Sequence, residues 1–201
     1  MARTRSPEYD SIQGHILDKT AELFASRGYV ASSIGDIATA CACSKSRLYH
    51  YFESKETILS VMLTEHVDEL LHGGREIVAG HPDPLARFTQ LIRFFMEIYS
   101  VSRSKQVVLL TCIEFLPEPK RREIIDKQRE IVSYVRNILK AIQPDAALGA
   151  SKTDVDTMLF FGMINWTYTW YRADGAIQPH ELADRCVKLF LDGYRGARQP
   201  S

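Results

Sequence analysis

Residues 33–52 read SIGDIATACACSKSRLYHYF in one-letter code. Ser33 and Asp36 have the spacing of a capping box, in which the serine hydroxyl accepts from the aspartate amide and the carboxylate favours the positive helix end. Ser44 can cap a second helix in the same way. The stretch therefore predicts two short helices, at about residues 33–41 and 45–52, joined by a tight turn.

Apolar residues of the two short helices recur at helical spacing, which predicts a buried face on each. These inward residues are Ile34, Ile37, Ala38 and Cys41 in the first helix, and Leu48 and Phe52 in the second. Two such short helices bury little alone, so we expect them to pack on their neighbours in the chain. A preceding helix should end at Gly28, and a following helix should run from Ser54 to the Gly73-Gly74 pair.

The second short helix carries cations, hydroxyls and aromatic rings away from its inward face. Such a helix fits a DNA major groove about 12 Å wide and can contact base edges there. The predicted DNA-contacting residues are Ser33, Ser44, Lys45, Ser46, Arg47, Tyr49, His50, Tyr51 and Lys55. Within this set, the residues expected mainly at phosphates are Ser33, Tyr49, Tyr51 and Lys55. The pattern alone leaves open an amphipathic helix pair in an all-α enzyme.

The overall charge gives no support to nucleic-acid binding, because 25 Lys and Arg balance 25 Asp and Glu. The case must therefore be local, and residues 45–55 carry a small positive excess that a dimer would double. Arg3 and Arg5 would add a mobile basic arm. No apolar run follows these two arginines, so the sequence predicts no signal peptide and a cytoplasmic location.

The segments at residues 28–38 and 44–56 together resemble the TetR family of bacterial repressors, over about residues 12–63. The most specific part is the run from Leu48 to Glu56, LYHYFESKE. The resemblance implies a homodimer whose DNA-binding units sit on a ligand-controlled helical body. It also implies DNA contacts at matching positions, namely Ser33, Lys45, Ser46, Arg47, Tyr49, His50 and Tyr51, with Lys55 as a phosphate contact.

Two residues of the turn depart from the family pattern. Ala42 stands where the family usually has glycine, and a left-handed backbone there should cost an alanine on the order of 1 kcal/mol. Cys43 stands where valine is usual, and we expect a small buried side chain. Cys41 and Cys43 raise the hypothesis of a redox sensor, although such close cysteines rarely form an unstrained disulfide. The spacing of these two cysteines does not predict a metal site, and the sequence has no CxxC pair. No cofactor is predicted.

The remaining chain predicts a second helical domain after a break at residues 80–84. Its helices are expected at about 85–101, 104–115, 119–142, 152–173 and 179–195. The predicted fold is all-α, with an N-terminal three-helix helix-turn-helix unit joined by a long helix to a C-terminal ligand-binding and dimerisation bundle. We place the two domains at residues 1–55 and 56–201.

Residues 158–171 form a run without any charged side chain. As a helix it would be apolar all round, and such a helix must be buried all round. One face can meet the body, and a partner copy is the simplest cover for the other, which predicts an isologous four-helix interface with the last helix. The run is too short to span a bilayer, so no membrane association is expected.

A small-molecule site in the second domain is predicted from aromatic and polar residues that could share a cavity. Its candidates are Phe88, Ile92, Phe95, Tyr99, Phe115, Tyr134, Asn165, Trp166 and Thr169, although so many aromatics are usually ordinary core. Residues 161–171 also resemble TetR members that govern breakdown of fatty acids, phenylacetate or steroids. That resemblance implies a hydrophobic effector such as an acyl-CoA thioester. The arginines that could meet its phosphates are Arg87, Arg93, Arg103, Arg121, Arg122 and Arg172, although solvated surface charge is the more usual role of each.

The function predicted from these features is a ligand-responsive repressor that binds a palindromic operator as a dimer and is released by a hydrophobic small molecule. The alternative is a small all-α enzyme acting on a hydrophobic substrate. No nucleophile-and-base signature or glycine-rich phosphate loop favours that alternative.

Overall fold

The structure is a computed structural model that describes residues 7–143 and 150–196. Nearly all of these residues are helical, and no strand occurs within those two ranges, which confirms the predicted all-α class. Short 3-10 turns occur at Ile113–Phe115 and Trp166–Thr169. The helices are α1 (Pro7–Arg27), α2 (Ile34–Ala40), α3 (Lys45–Tyr51), α4 (Lys55–Gly80), α5 (Pro84–Val101), α6 (Arg103–Cys112), α7 (Glu118–Ile142), α8 (Ala150–Asn165) and α9 (Pro179–Gly196).

The described chain forms two compact units. Unit one comprises residues 7–66 and 104–124, and unit two comprises residues 67–103, 125–143 and 150–196. Helices α2 and α3 therefore belong to the same compact unit as α6, although α6 lies far along the chain. The division into domains at residues 1–55 and 56–201 concerns function and stays a prediction.

The three N-terminal helices end close to where the sequence predicts, and α2 and α3 also begin there. Gly28 ends α1 with a left-handed φ of 85°, and its amide donates to the Phe24 carbonyl at 2.9 Å. The Ser33 hydroxyl accepts from the Asp36 amide, and the Asp36 carboxylate accepts from the Ser33 amide, so the capping box at α2 is complete. Ser44 caps α3 by accepting from the Arg47 amide at 3.1 Å.

The turn between α2 and α3 keeps the left-handed conformation expected where the family usually has glycine. Ala42 has a φ of 50°, and two backbone bonds hold it: its own amide donates to the Thr39 carbonyl and the Cys43 amide donates to the Ala38 carbonyl. The alanine strains the turn by about 1 kcal/mol. Cys43 is half-buried rather than buried, so the expectation of a buried side chain at this position is wrong.

Helix α4 does not end at the Gly73-Gly74 pair as predicted, but continues to Gly80. Gly73 serves packing inside unit two instead of termination. A Cβ on Gly73 would lie 2.3 Å from the Phe94 Cζ atom, so the ring would have to move, whereas a Cβ on Gly74 would make ordinary contact with the Tyr134 ring at 3.4 Å. The helix accepts the cost of a glycine at position 73 because a larger residue would prevent this close approach.

Helix α8 ends at Asn165, so the predicted helix over residues 152–173 is too long. The next residues form a 3-10 turn in which threonine hydroxyls bond to local carbonyls. Thr167 donates to the Ile164 carbonyl at 2.6 Å, and Thr169 donates to the Trp166 carbonyl at 2.8 Å. Such bonds compete with the backbone hydrogen bonds of an α-helix, and β-branched and aromatic residues have low helix propensity.

A buried polar pair joins α4 to α6 inside unit one. His66, which is 1% exposed, lies 2.8 Å from the Gln106 side-chain oxygen through its Nε2 atom. Burial lowers the pKa of His66 to about 4, and the nearby Lys105 ammonium adds to the lowering, while the bond to Gln106 opposes it. His66 is therefore neutral in the folded protein at neutral pH.

The His66 pair predicts a loss of stability in mild acid. As the pH falls below about 6.5, the unfolded chain binds a proton at this histidine that the folded chain does not bind until about pH 4. The free energy of unfolding, measured by urea titration, should therefore fall by about 2 kcal/mol between about pH 7 and pH 5 through this residue alone.

The matched variant is His66→Gln, which keeps a polar side chain but does not titrate. Its free energy of unfolding should depend on pH less steeply than that of the wild type by the same amount. Parallel pH profiles for the two proteins would contradict the assigned protonation state.

Candidate DNA-binding surface

Helix α3 is fixed to unit one by its inward face and exposes the rest. Leu48 is 0% exposed and the C-cap residue Phe52 is 2% exposed, so both side chains belong to the core. The predicted contact residues on the outer faces are exposed, except Tyr51, which is half-buried. The exposed residues of this helix and its cap are Ser44, Lys45, Ser46, Arg47, Tyr49 and His50. The structure therefore brings most of the predicted set onto one surface.

The two cations of α3 are available for an external partner. Neither Lys45 nor Arg47 forms an ion pair within the described ranges, whereas arginines elsewhere are paired, such as Arg129 with Asp126 at 2.7 Å. Lys45 reaches over the first turn of α2, where a Cβ on Gly35 would lie 3.4 Å from its ammonium nitrogen. The charge of α3 thus faces outward and is not neutralised by neighbouring carboxylates.

The two cap serines differ in what their hydroxyls can still do. The Ser33 hydroxyl donates to the Asp36 carboxylate at 2.5 Å, so a phosphate contact at Ser33 requires this bond to be exchanged. The same hydroxyl also lowers the pKa of Asp36, which keeps a negative charge beside it. Ser44 accepts a bond through its hydroxyl oxygen and keeps its hydrogen for a further acceptor.

Lys55 has a structural role that the sequence did not predict. Its ammonium donates to the Tyr29 carbonyl at 3.0 Å and to the Ser32 carbonyl at 2.9 Å. It also lies 4.1 Å from the centre of the Tyr29 ring, in a cation–π contact. Only one N–H of the ammonium is left for a phosphate, so Lys55 chiefly holds the loop before α2 against α4.

Tyr29 is the centre of this loop anchor. Its ring stacks on Phe115 with centres 4.9 Å apart, and its hydroxyl donates to the Glu56 carboxylate at 3.1 Å. Burial raises the pKa of Tyr29, and the Glu56 carboxylate adds to the rise, so the hydroxyl stays protonated. Phe115, which was predicted at the effector site, therefore packs within unit one on the loop that precedes the reading helices.

Tyr9 is a residue of this surface that the sequence analysis missed. Its ring lies 4.6 Å from the Tyr51 ring and 6.3 Å from the His50 ring, measured between ring centres. No pattern pointed to it, because the residues it contacts lie far along the chain in α3. The predicted arm at Arg3 and Arg5 lies outside the described residues.

An open groove of about 330 Å³ runs beside α3. The residues lining the groove are Ser11, Ile12, His15, Ile16, Cys41, Ala42, Cys43 and Arg47.

Both cysteines at the turn, Cys41 and Cys43, are free thiols. Burial raises the pKa of the Cys41 thiol to about 11, so this thiol is a poor nucleophile at neutral pH.

The predicted effector residues fall into groups of different exposure. Phe88, Ile92 and Phe95 are 0% exposed, so in this structure they border no space that admits water. Tyr99, Tyr134 and Asn165 are half-buried. Trp166 and Thr169 are exposed on the 3-10 turn after α8, and Phe115 belongs to unit one. The structure therefore does not gather these nine residues around one open cavity.

The arginines considered for nucleotide phosphates are engaged within the chain. Arg93 forms a two-pronged pair with Asp184 at 2.7 Å, and Arg103 donates to the Tyr168 carbonyl. Arg87 donates to the His81 carbonyl. The rest pair with nearby carboxylates, Arg121 and Arg122 with Glu118, and Arg172 with Asp174. An anionic ligand at one of these arginines would compete with the carboxylate or carbonyl already bound there.

None of the helices in residues 7–143 and 150–196 is both long enough and apolar enough to cross a bilayer. Within the same ranges, no group of three or more His, Cys, Asp or Glu side chains is arranged to hold a metal ion.

The fold and this surface define an all-helical protein with an N-terminal helix-turn-helix. Two family descriptions match the chain: "Bacterial regulatory proteins, tetR family" over residues 16–62, and "Tetracyclin repressor-like, C-terminal domain" over residues 81–194. The chain therefore belongs to the TetR family of bacterial regulatory proteins, which confirms the resemblance found in the sequence.

Individual relatives agree along most of the chain. The HTH-type transcriptional repressor KstR2 of Rhodococcus jostii (strain RHA1) is 30% identical over 183 residues, covering 89% of this chain and 88% of that protein. A TetR-family transcriptional regulator from Bordetella parapertussis 12822 is 54% identical, with a TM-score of 0.88, covering 94% of this chain and 98% of that one. AibR in complex with isovaleryl coenzyme A and operator DNA shares the fold, with a TM-score of 0.75, 24% identity and coverage of 89% and 97%.

The anchoring role of Lys55 predicts that Lys55→Met destabilises the protein. The variant keeps a long side chain but leaves the Tyr29 and Ser32 carbonyls without their charged donor and removes the cation–π contact. We expect the free energy of unfolding, measured by urea titration, to fall by about 1–3 kcal/mol.

The control is Lys19→Met, because the Lys19 ammonium pairs, among the described residues, with Glu22 on its own helix. That change should alter the free energy of unfolding by less than about 0.5 kcal/mol. If Lys55→Met is as stable as the control but binds DNA less well, Lys55 acts as the phosphate contact first predicted and not as an anchor.

Proposed function

We propose that this protein is a ligand-responsive repressor that places α3 in the major groove of a palindromic operator. The observation that carries the proposal is the outer face of α3, where Lys45 and Arg47 stand exposed and unpaired within the described ranges beside Tyr49. Arg47 is suited to base edges and Lys45 to phosphates or bases. Ser44, Ser46, His50 and Tyr51 extend the same surface, with Ser33 and Lys55 at its margin.

The named relatives support both the regulatory sign and the DNA partner. KstR2 is described as a transcriptional repressor, and the structure of AibR holds operator DNA together with isovaleryl coenzyme A. Repression follows from binding at the operator, and release follows if the effector prefers a conformer with wrongly spaced reading helices. Helix α4 is the proposed lever, since it continues from unit one into unit two.

Dimerisation is proposed through one face of α8. The buried stripe of this helix includes Thr157, Phe160 and Ile164, which pack inside unit two. The opposite stripe is apolar yet open: Met158 is 58% exposed and Leu159 is 64% exposed. Nothing within 4 Å would meet a Cβ on Gly162, which leaves room for another helix. A second copy would cover this stripe by two-fold symmetry.

The proposed effector is a hydrophobic small molecule such as an acyl-CoA thioester. Phe88, Ile92 and Phe95 are fully packed, so the bound state would require the α5 core to separate from its neighbours. The side-chain oxygen of Asn165 is buried without a hydrogen-bond partner, which makes it a polar handle for a ligand entering there. Such a ligand would bind a minor, opened conformer and shift the population towards it.

Substitution of α3 residues tests the DNA-binding proposal. Arg47→Ala and Tyr49→Ala should each weaken binding to a duplex that the protein enriches from a random-sequence library. The expected loss is roughly tenfold or more, because a base contact or a phosphate contact disappears while the fold is unchanged. Fluorescence anisotropy titration measures the affinity, and thermal unfolding checks the fold.

The matched control is Arg129→Ala, since Arg129 is an exposed arginine of α7 that pairs with Asp126. It should bind the duplex like the wild type. Equal affinity of all three variants would place the DNA-binding surface elsewhere. Turnover of a thioester by the purified protein would instead favour the all-α enzyme that the sequence left open.

A charge on the open stripe of α8 tests the dimer. Leu159→Glu would bury a carboxylate in the proposed interface, so the variant should be a monomer in sedimentation-equilibrium measurements at concentrations where the wild type is a dimer. Val101→Glu is the control, because Val101 is 77% exposed at the end of α5 and lies outside this stripe. A monomeric wild type, or a dimeric Leu159→Glu variant, would contradict this interface.

A further inference from the structure

Three aromatic rings meet where the first turn of α1 packs against the end of α3. The centres of the Tyr9 and Tyr51 rings are 4.6 Å apart with their planes tilted by 36°, and the Tyr9 and His50 rings are 6.3 Å apart at 70°. His50 and Tyr51 meet edge to face at 5.3 Å and 89°. One ring from α1 therefore contacts two residues of the proposed reading surface.

Tyr9 stands in the first turn of a 21-residue helix whose later turns are buried, whereas α3 is short. The body of α1 is fixed by Leu17 and Phe24, each 1% exposed in the core of unit one. Helix α3 has only seven residues, and its last exposed residue before the C-cap is His50. Side chains at the end of so short a helix are free to rotate unless a neighbour restrains them, and ordering them on binding costs affinity.

We propose that Tyr9 is a positioning residue of the reading surface, whose ring holds His50 and Tyr51 in the orientation in which they meet DNA. This inference rests on the proposed function and adds a residue to it from outside the helix-turn-helix. The ring acts through His50 and Tyr51, and the DNA contacts proposed for Lys45 and Arg47 do not pass through it. Because contacts from His50 and Tyr51 form only where α3 is seated in register, Tyr9 serves binding to the enriched duplex more than general attraction to DNA.

The test compares Tyr9→Leu with Tyr9→Phe in the full-length protein. Affinity is measured by anisotropy for the duplex enriched from a random library and for an unrelated duplex of the same length. Tyr9→Leu should weaken binding to the enriched duplex by roughly two- to tenfold, the range of one aromatic pair, and leave the unrelated duplex nearly unaffected. Tyr9→Phe keeps the ring and should restore the affinity to within about twofold of the wild type.

A further comparison separates positioning from a general effect on the fold. In a protein that already carries His50→Ala and Tyr51→Leu, Tyr9→Leu should cause no additional loss, because the side chains on which it acts are absent. A full additional loss there would overturn the inference. Equal weakening by Tyr9→Phe would overturn it as well, since the hydroxyl and not the ring would then matter.

Three further outcomes would each overturn a proposal. Tyr9→Leu with wild-type affinity, or with equal loss on both duplexes and a lower unfolding temperature, shows that Tyr9 only supports the fold or does nothing. A wild-type protein that enriches no duplex from the library overturns the proposed function itself. A wild-type protein that binds normally while Tyr9→Leu has no effect overturns only this inference.

Discussion

The packing of Leu48 and Phe52 into unit one is the contact on which the proposed surface depends. A helix of seven residues is too short to persist in water by itself, because its nucleation cost is not recovered over two turns. These two side chains are almost completely buried, and Ser44 caps the N-terminus of the helix. The packing of Leu48 and Phe52 in the core therefore fixes the orientation of α3, and with it the side on which Arg47 and Tyr49 are exposed.

Because short helices need support from their surroundings, further contacts fix the turn before α3 and the loop before α2. The turn before α3 keeps a strained alanine, and the loop before α2 is secured by the Lys55 ammonium beneath Ser32. Phe115 lies on the Tyr29 ring of that loop, although it is distant in the chain. A surface that must meet DNA with little reorganisation gains from each of these supports, because fewer groups need ordering on binding.

Features that depend on residues close together in sequence were predictable, whereas features that depend on contacts between distant residues were not. The capping box of Ser33 and the stop at Gly28 involve neighbours within one helical turn, so residue type and spacing suffice. The Gly73-Gly74 pair was misread as a helix end because Gly73 serves the close approach of Phe94, which no local pattern records. The inward face of α3 followed from helical periodicity alone.

The site shows the same division. The outward residues of α3 could be found by position and by resemblance to a family, whereas Tyr9 and the anchoring bonds of Lys55 depend on contacts with chain segments far from them in sequence. The effector residues were the least predictable, because apolar side chains of a core and of a ligand cavity look alike in sequence. Their full burial at Phe88 and Phe95 became evident only from the structure.

Protection of guanine N7 atoms from dimethyl sulfate shows whether α3 occupies the major groove, because this atom lies there. On a duplex enriched by the wild-type protein, we expect two clusters of protected guanines, related by the two-fold symmetry of the site and separated by about one helical turn or more. Tight binding that leaves every guanine N7 reactive would contradict this expectation, since α3 would then not occupy the groove.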